Sequence, residues 1–163
     1  MSLHCIFTPT FWQGCEQHFP FMETLAQPLR EQYGIIINLL MLALELDRQQ
    51  LLLNNHYWQQ LQQTLTCWQE HLLLPYRQLR HLARQYVDES AYEQMLEVEQ
   101  LLERQQQQVI SLQLWDVVPT VSRVHRANLH SYLALFHLNY RDFPELTQIS
   151  RYRYTDNTLA IPQ

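Results

Sequence analysis

Residues 35–46 read Ile-Ile-Ile-Asn-Leu-Leu-Met-Leu-Ala-Leu-Glu-Leu, and this stretch decides the fold. Its apolar residues fall on nearly every face of a helix rather than in one stripe, and a helix that is apolar all round belongs in the middle of a bundle. At this length it falls far below the roughly 20 residues that a membrane span requires. The reading is therefore a buried central helix over 35 to about 53. Asn38 and Glu45 interrupt the run. An amide at such a position must find partners or cost roughly 1–3 kcal/mol, so Asn38 is expected to make a buried structural hydrogen bond to a neighbouring loop.

Helical punctuation continues in both directions. Gly34 suits the end of a helix over about 21–33, inside which Pro28 is expected to produce a kink or a shortening. Upstream, Thr8 or Thr10 can cap a first helix carrying Phe11, Trp12, Cys15 and His18, which ends before Pro20. Downstream, a long helix starts at Asn54-Asn55, where Trp58, Leu61, Leu65, Trp68, Leu72, Leu79 and Leu82 keep spacings of three and four. Pro75 occupies the one heptad slot left between Leu72 and Leu79, so a kink near Leu72 follows. Asp88 or Ser90 caps the next helix, with Ala91, Met95, Val98, Leu102, Gln105, Val109 and Leu112 on one stripe. The short polar turn between the two stripes makes them an antiparallel pair. A last helix over about 120–139 carries Val121, Val124, Leu129, Leu133, Phe136 and Tyr140, after which the pattern fades. The fold class read from this is all-α: a single-domain bundle of about five to six helices over residues 1–140, with a long antiparallel helix pair. An irregular C-terminal tail, 141–163, packs on the bundle or extends from it, and shows only brief alternation at Arg151-Tyr152-Arg153-Tyr154.

Composition narrows the function classes. The 163 residues contain 2 Gly against 22 Gln and 29 Leu, which excludes glycine-rich phosphate loops and disfavours sheet-and-turn architectures. All 11 basic residues are Arg and the net charge is -5, a field that repels phosphate backbones, so nucleic acid is not an expected partner. The charge is segregated, with residues 46–86 summing to +2 and residues 87–120 to -6, which suits two helices that face each other. Cys5, Cys15 and Cys67 are an odd number, which argues against a disulfide framework. The first residues, Met-Ser-Leu-His-Cys-Ile, carry neither a basic nor a sufficiently apolar leader. A cytoplasmic protein with no membrane association, monomeric or homodimeric, is the simplest expectation.

The chemical motifs are mostly excluded. None of the 11 Glu residues has His three positions on, so a di-iron carboxylate bundle is ruled out. His-Glu-x-x-His, Gly-x-Ser-x-Gly, Cys-x-x-Cys and the aspartate-rich magnesium-diphosphate motif are also missing from the sequence, and with them the common helical enzymes. Cys15 with His18 and Cys67 with His71 are the best metal candidates, because two thiolates and two imidazoles suit a zinc tetrahedron. Packing is the plainer reading of the same spacing. Arg77, Arg80, His81 and Arg84 form a stripe at three- and four-residue spacing. Such a stripe can grip an acidic partner segment, or it can be a solvated face that meets Glu89, Glu93 and Glu97 of the next helix.

The elements Phe11-Trp12, then Gln32-x-Gly34-x-x-x-Asn38-Leu39-Leu40, then Trp68 followed by Leu74-Pro75-x-Arg77-x-x-Arg80, together resemble a small proteobacterial family of short helical cytoplasmic proteins of unknown function. The resemblance covers about residues 10–110. Tyr76 stands where the family pattern has Leu after the proline. What the resemblance implies is all-α structure and bacterial origin, with no reaction, catalytic residue or cofactor attached.

Three functional readings follow from the sequence. The first is a non-enzymatic adaptor or regulator that binds another protein through Arg77, Arg80, Arg84, Trp12 and Asn38, needing no cofactor. The second is a metal- or small-ligand-binding domain using Cys15, His18, Cys67 and His71. The third is an enzyme with a pocket lined by Asn38, Trp12 and Arg77.

Overall fold

The computed structural model describes residues 1–146, and helices make up most of them. Seven α-helices follow in order: α1 Pro9–Glu16, α2 Phe19–Tyr33, α3 Ile37–Arg48, α4 Asn55–Trp68, α5 Leu74–Ala83, α6 Glu89–Gln113 and α7 Ala127–Ala134. A two-residue antiparallel pairing joins β1 (Leu51–Leu52) to β2 (Thr120–Val121), with Leu51 opposite Val121. The Arg151–Tyr154 alternation lies outside the described residues.

The all-round apolar reading of α3 holds. Each of its residues up to Leu46 is buried, and α1 and α7 pack against it. The helix stops at Arg48 rather than near 53, because Gln50 takes a left-handed φ of 57° that turns the chain into β1. Gly34, at φ 72°, closes α2. Its amide donates to Arg30 O, and that of Ile35 to Leu29 O, a pairing that satisfies two end carbonyls. Pro28 neither ends nor shortens α2. Met22, Ala26 and Leu29 anchor the helix in the core on both sides of the missing hydrogen bond.

Two expectations require correction. The predicted long helix from residue 54 is divided by a π-helical turn, Gln69–Leu73, in which the Leu74 amide reaches back to Gln69 O. Pro75 has no amide hydrogen and its ring collides with the carbonyl four residues back, so the helix widens by one residue ahead of it. One extra residue rotates everything downstream by about 100°. The predicted seam is dephased as a result: Trp58, Leu61, Leu65 and Leu73 are buried, whereas Leu72, Leu79 and Leu82 are exposed. On α6 the predicted stripe fails as well, with Val98 and Leu112 outward and Gln106, Gln107 and Ile110 buried. The two helical segments still run antiparallel, as the descending order of the Arg77–Glu103, Arg80–Glu99 and Arg84–Glu89 pairs requires.

The last helix is also shorter than predicted. Thr120 and Val121 are taken by the strand pairing, Arg126 has a left-handed φ of 57°, and only Ala127–Ala134 is α-helical. Its cap comes from a distant residue. Asp47 of α3 accepts the backbone amides of Asn128 at 2.9 Å and Leu129 at 3.0 Å, which satisfies donors that a helix start leaves free. Burial raises the pKa of the Asp47 carboxyl, and these hydrogen bonds offset part of the rise. Beyond Tyr140 the chain makes one 3₁₀ turn, Tyr140–Asp142, and buries Leu146 in the core.

Candidate functional site

The π turn decides which side of α5 meets α6. Tyr76, Arg77 and Arg80 face the neighbouring helix, and the contact between α5 and α6 is an ion-pair network rather than a leucine seam. Arg77 Nε donates to Glu99 Oε1 at 2.8 Å and its Nη2 to Glu103 Oε1 at 2.8 Å. Arg80 donates to the other oxygen of Glu99 and, at 2.8 Å, to the Tyr92 hydroxyl. Tyr76 donates to Met95 O at 2.8 Å. Arg84 lies 4.0 Å over the Tyr92 ring and pairs with Glu89 at 3.2 Å. The expected partners Glu93 and Glu97 stay outside the network, because the rotated helix presents Arg77 and Arg80 to Glu99 and Glu103 instead.

Asn38 sits beneath this network, buried as expected, although its partners are helical and not in a loop. Its amide nitrogen donates to Glu103 O at 3.0 Å and to Gln106 Oε1 at 2.8 Å, and its oxygen accepts from Gln107 Nε2 at 3.2 Å. The polar layer continues through Gln106 to Gln69, 3.4 Å away. Beside it lies a cavity of about 240 Å³ walled by Arg30, Asn38, Gln69, Arg77, Glu103 and Gln107. Asn38 and Arg77 thus share one cavity. Trp12 does not line it: its indole donates to Ser111 Oγ at 3.0 Å and stacks on Phe7 in an adjoining groove that shares Glu16, Arg104 and Gln107 with the cavity.

Arg30 went unnoticed in the sequence because it is a single cation on a helix that reads as amphipathic. Burial and the nearby Arg77 guanidinium lower its pKa to about 10, against the opposing pull of Glu103 and Glu99. Its contact to Glu103 is long, 3.9 Å. Two buried guanidinium nitrogens on the cavity wall, Arg77 Nη1 and Arg30 Nε, have no hydrogen-bond partner among the described residues.

The metal candidates fall in different places. Cys15 is buried, whereas Cys67 is exposed, and the exposed His71 turns its Nδ1 toward Cys67 O at 3.0 Å. His18 is buried beside Glu45, with 2.9 Å between Nε2 and Oε2. Among the described residues, no three His, Cys, Asp or Glu side chains gather as metal ligands. Glu45, the second interruption of the central run, is held by Arg48 at 2.6 Å and Gln49 at 3.1 Å as well. Burial alone would raise its pKa, but the hydrogen bonds from His18, Arg48 and Gln49 outweigh that and bring it down to about 2. A Cβ on Gly14 would lie 3.2 Å from Glu45 Oε1, so the bare glycine allows α1 this close to the carboxylate.

A family model described as "Protein of unknown function (DUF2390)" matches residues 10–110, well over half of the chain. The chain belongs to this family. The DUF2390 segment runs from α1 through most of α6, and it contains every member of the Arg30–Arg77–Arg80–Glu99–Glu103 network together with Asn38. The α7 helix and its Asp47-bound start fall partly beyond it, with only Asp47 inside. No curated protein and no solved structure matches the chain. No helix among the described residues is long and apolar enough to cross a membrane.

Proposed function

We propose that this DUF2390 member is a non-enzymatic, bacterial cytoplasmic protein that works by binding another protein through the outward face of α5. The observation that carries the reading is that α5 is inside out. Its inward Arg77 is 8% exposed, while its outward Leu79 and Leu82 are 54% and 62% exposed, and Tyr86 in the turn that follows is 80% exposed. A lone surface leucine needs no explanation. Leu79 and Leu82 on a helix whose charged side is turned inward, with exposed Leu72 in the π turn before it and Tyr86 in the turn after it, make the pattern of a surface that receives a partner. The family resemblance supports the bacterial and cytoplasmic parts of the reading.

The rim of this face selects the partner's chemistry. No Asp or Glu lies between residues 71 and 87, and His81 and the half-exposed Arg84 border the apolar row. The occupant that fits is an amphipathic helix with apolar anchors flanked by acidic residues. In this arrangement Arg84 touches the partner, and Arg77 and Arg80 act by holding α5 in its inverted orientation. Photo-crosslinking in the native host tests it, with a photoreactive residue at 79, 82 or 86 and a control at the exposed position 63. The reading expects one partner at all three positions, crosslinked through an acidic amphipathic segment, and none from 63. A second copy of this chain, lipid, or no adduct at these positions would contradict it.

A further inference from the structure

We propose that the cavity between α2, α3, α5 and α6 is a binding site for a small anion, a carboxylate or a phosphate, gripped by Arg30 and Arg77. Three observations converge on it. The network that borders the cavity joins three guanidiniums, Arg30, Arg77 and Arg80, to two carboxylates, Glu99 and Glu103, with Arg77, Arg80 and Glu99 largely buried and Arg30 and Glu103 partly exposed, which leaves one positive charge uncompensated among the described residues. A largely desolvated charge of this kind is costly until it is paired. Arg77, whose side chain is 10% exposed, and Arg30 each keep a buried nitrogen without a partner, and both line the cavity. Guanidinium forks of this type match the paired oxygens of carboxylate and phosphate. Of the remaining wall, Asn38, Gln69 and Gln107 offer neutral donors and acceptors to the rest of a small polar molecule, beside the Glu103 carboxylate that Arg77 holds and an apolar side of Phe19, Ile37 and Met41. At the mouth, Arg104 and Glu16 stand 3.9 Å apart and are both partly exposed, so entry disrupts only a weak pair. The site goes beyond the α5 docking face, which lies on the opposite side of the same helix.

Thermal unfolding of the whole chain tests this, in sodium phosphate, sodium acetate or sodium succinate, each matched in ionic strength against sodium chloride. Binding to the folded state predicts a saturable rise in Tm of about 3–6 °C at ten times the dissociation constant. A rise with phosphate alone assigns the site to a phosphorylated ligand, and a rise with acetate or succinate alone assigns it to a carboxylic acid. Arg30→Gln removes the surplus charge: it is expected to melt at or above the wild type without added anion and to lose the anion-dependent rise. A structural arginine would give the opposite, a lower Tm. Arg30→Lys keeps the charge without the fork, and it should bind the active anion about tenfold more weakly. The proposal is overturned if no anion raises Tm beyond chloride, which would mean that the cavity holds water only. It is equally overturned if Arg30→Lys, or a folded Arg30→Gln, responds as the wild type does.

Discussion

Removing Arg77 should cost far more than removing Arg84, although the two occupy equivalent places in the sequence stripe. Arg77 makes two bonds of 2.8 Å, to Glu99 and Glu103, from a side chain that is nine-tenths buried. Arg77→Met leaves Glu103 with only the 3.9 Å contact to Arg30, while Glu99 keeps Arg80. Breaking a buried pair from one side costs about 3–5 kcal/mol, and the surviving Arg80 bond places this case near the lower end, at about 3 kcal/mol. Arg84, half exposed and 3.2 Å from an exposed Glu89, is a surface pair worth about 0–0.5 kcal/mol. Urea unfolding at pH 7 measures both. With a slope near 2 kcal/mol/M, about 3 kcal/mol moves the midpoint by roughly 1.5 M, against almost nothing for Arg84→Met. An Arg77→Met loss within 1 kcal/mol of the Arg84→Met loss would refute the buried network, and with it the rotation imposed by the π turn.

Two further outcomes follow from the buried carboxylates. The Glu45 carboxyl is depressed to about 2 from an unfolded value near 4.5, so its contribution is complete above the unfolded value and is lost as pH falls from about 4.5 toward 2. Glu45→Gln should therefore flatten the acid limb of the stability curve by about 2 kcal/mol, read from urea midpoints at pH 2.5–6. Asp47→Ala strips the start of α7 of its acceptor. It should cost about 2 kcal/mol and accelerate amide exchange at Asn128 and Leu129 first, and uniform exchange across α7 would contradict the capping role.

The parts of the fold that the sequence makes legible are those set by local chemistry. An unbroken apolar run is buried wherever it lies, so α3 could be read directly. Gly34, Asn54 and Asp88 mark helix ends by backbone geometry and by side-chain acceptors, and all three do so in the structure. The failures share one cause. A heptad pattern read through Pro75 assumes a constant number of residues per turn, and the inserted π residue breaks that assumption, so the pattern places outward leucines in a seam and inward charges on a wet face. Gln106 and Gln107 lie in a run of four glutamines that carries no apolar helical stripe, yet they are the buried partners of Asn38. The short α7 could not be foreseen either, since its cap, Asp47, is 81 residues away from Asn128. Arg30 joins Arg77 only through tertiary packing, and no spacing rule connects them.

The inside-out placement of α5 is tested most directly by the Leu79→Ser/Leu82→Ser double variant, measured for Tm as an isolated protein and for crosslinking through a photoreactive residue at position 86. Two leucines in a core would cost about 2–5 kcal/mol each when cut back, whereas exposed ones change stability by about 0.5 kcal/mol or less. The account predicts a Tm within about 2 °C of the wild type, together with loss of the partner adduct. A cooperative drop of 10 °C or more, or full crosslinking by the folded double variant, would contradict it.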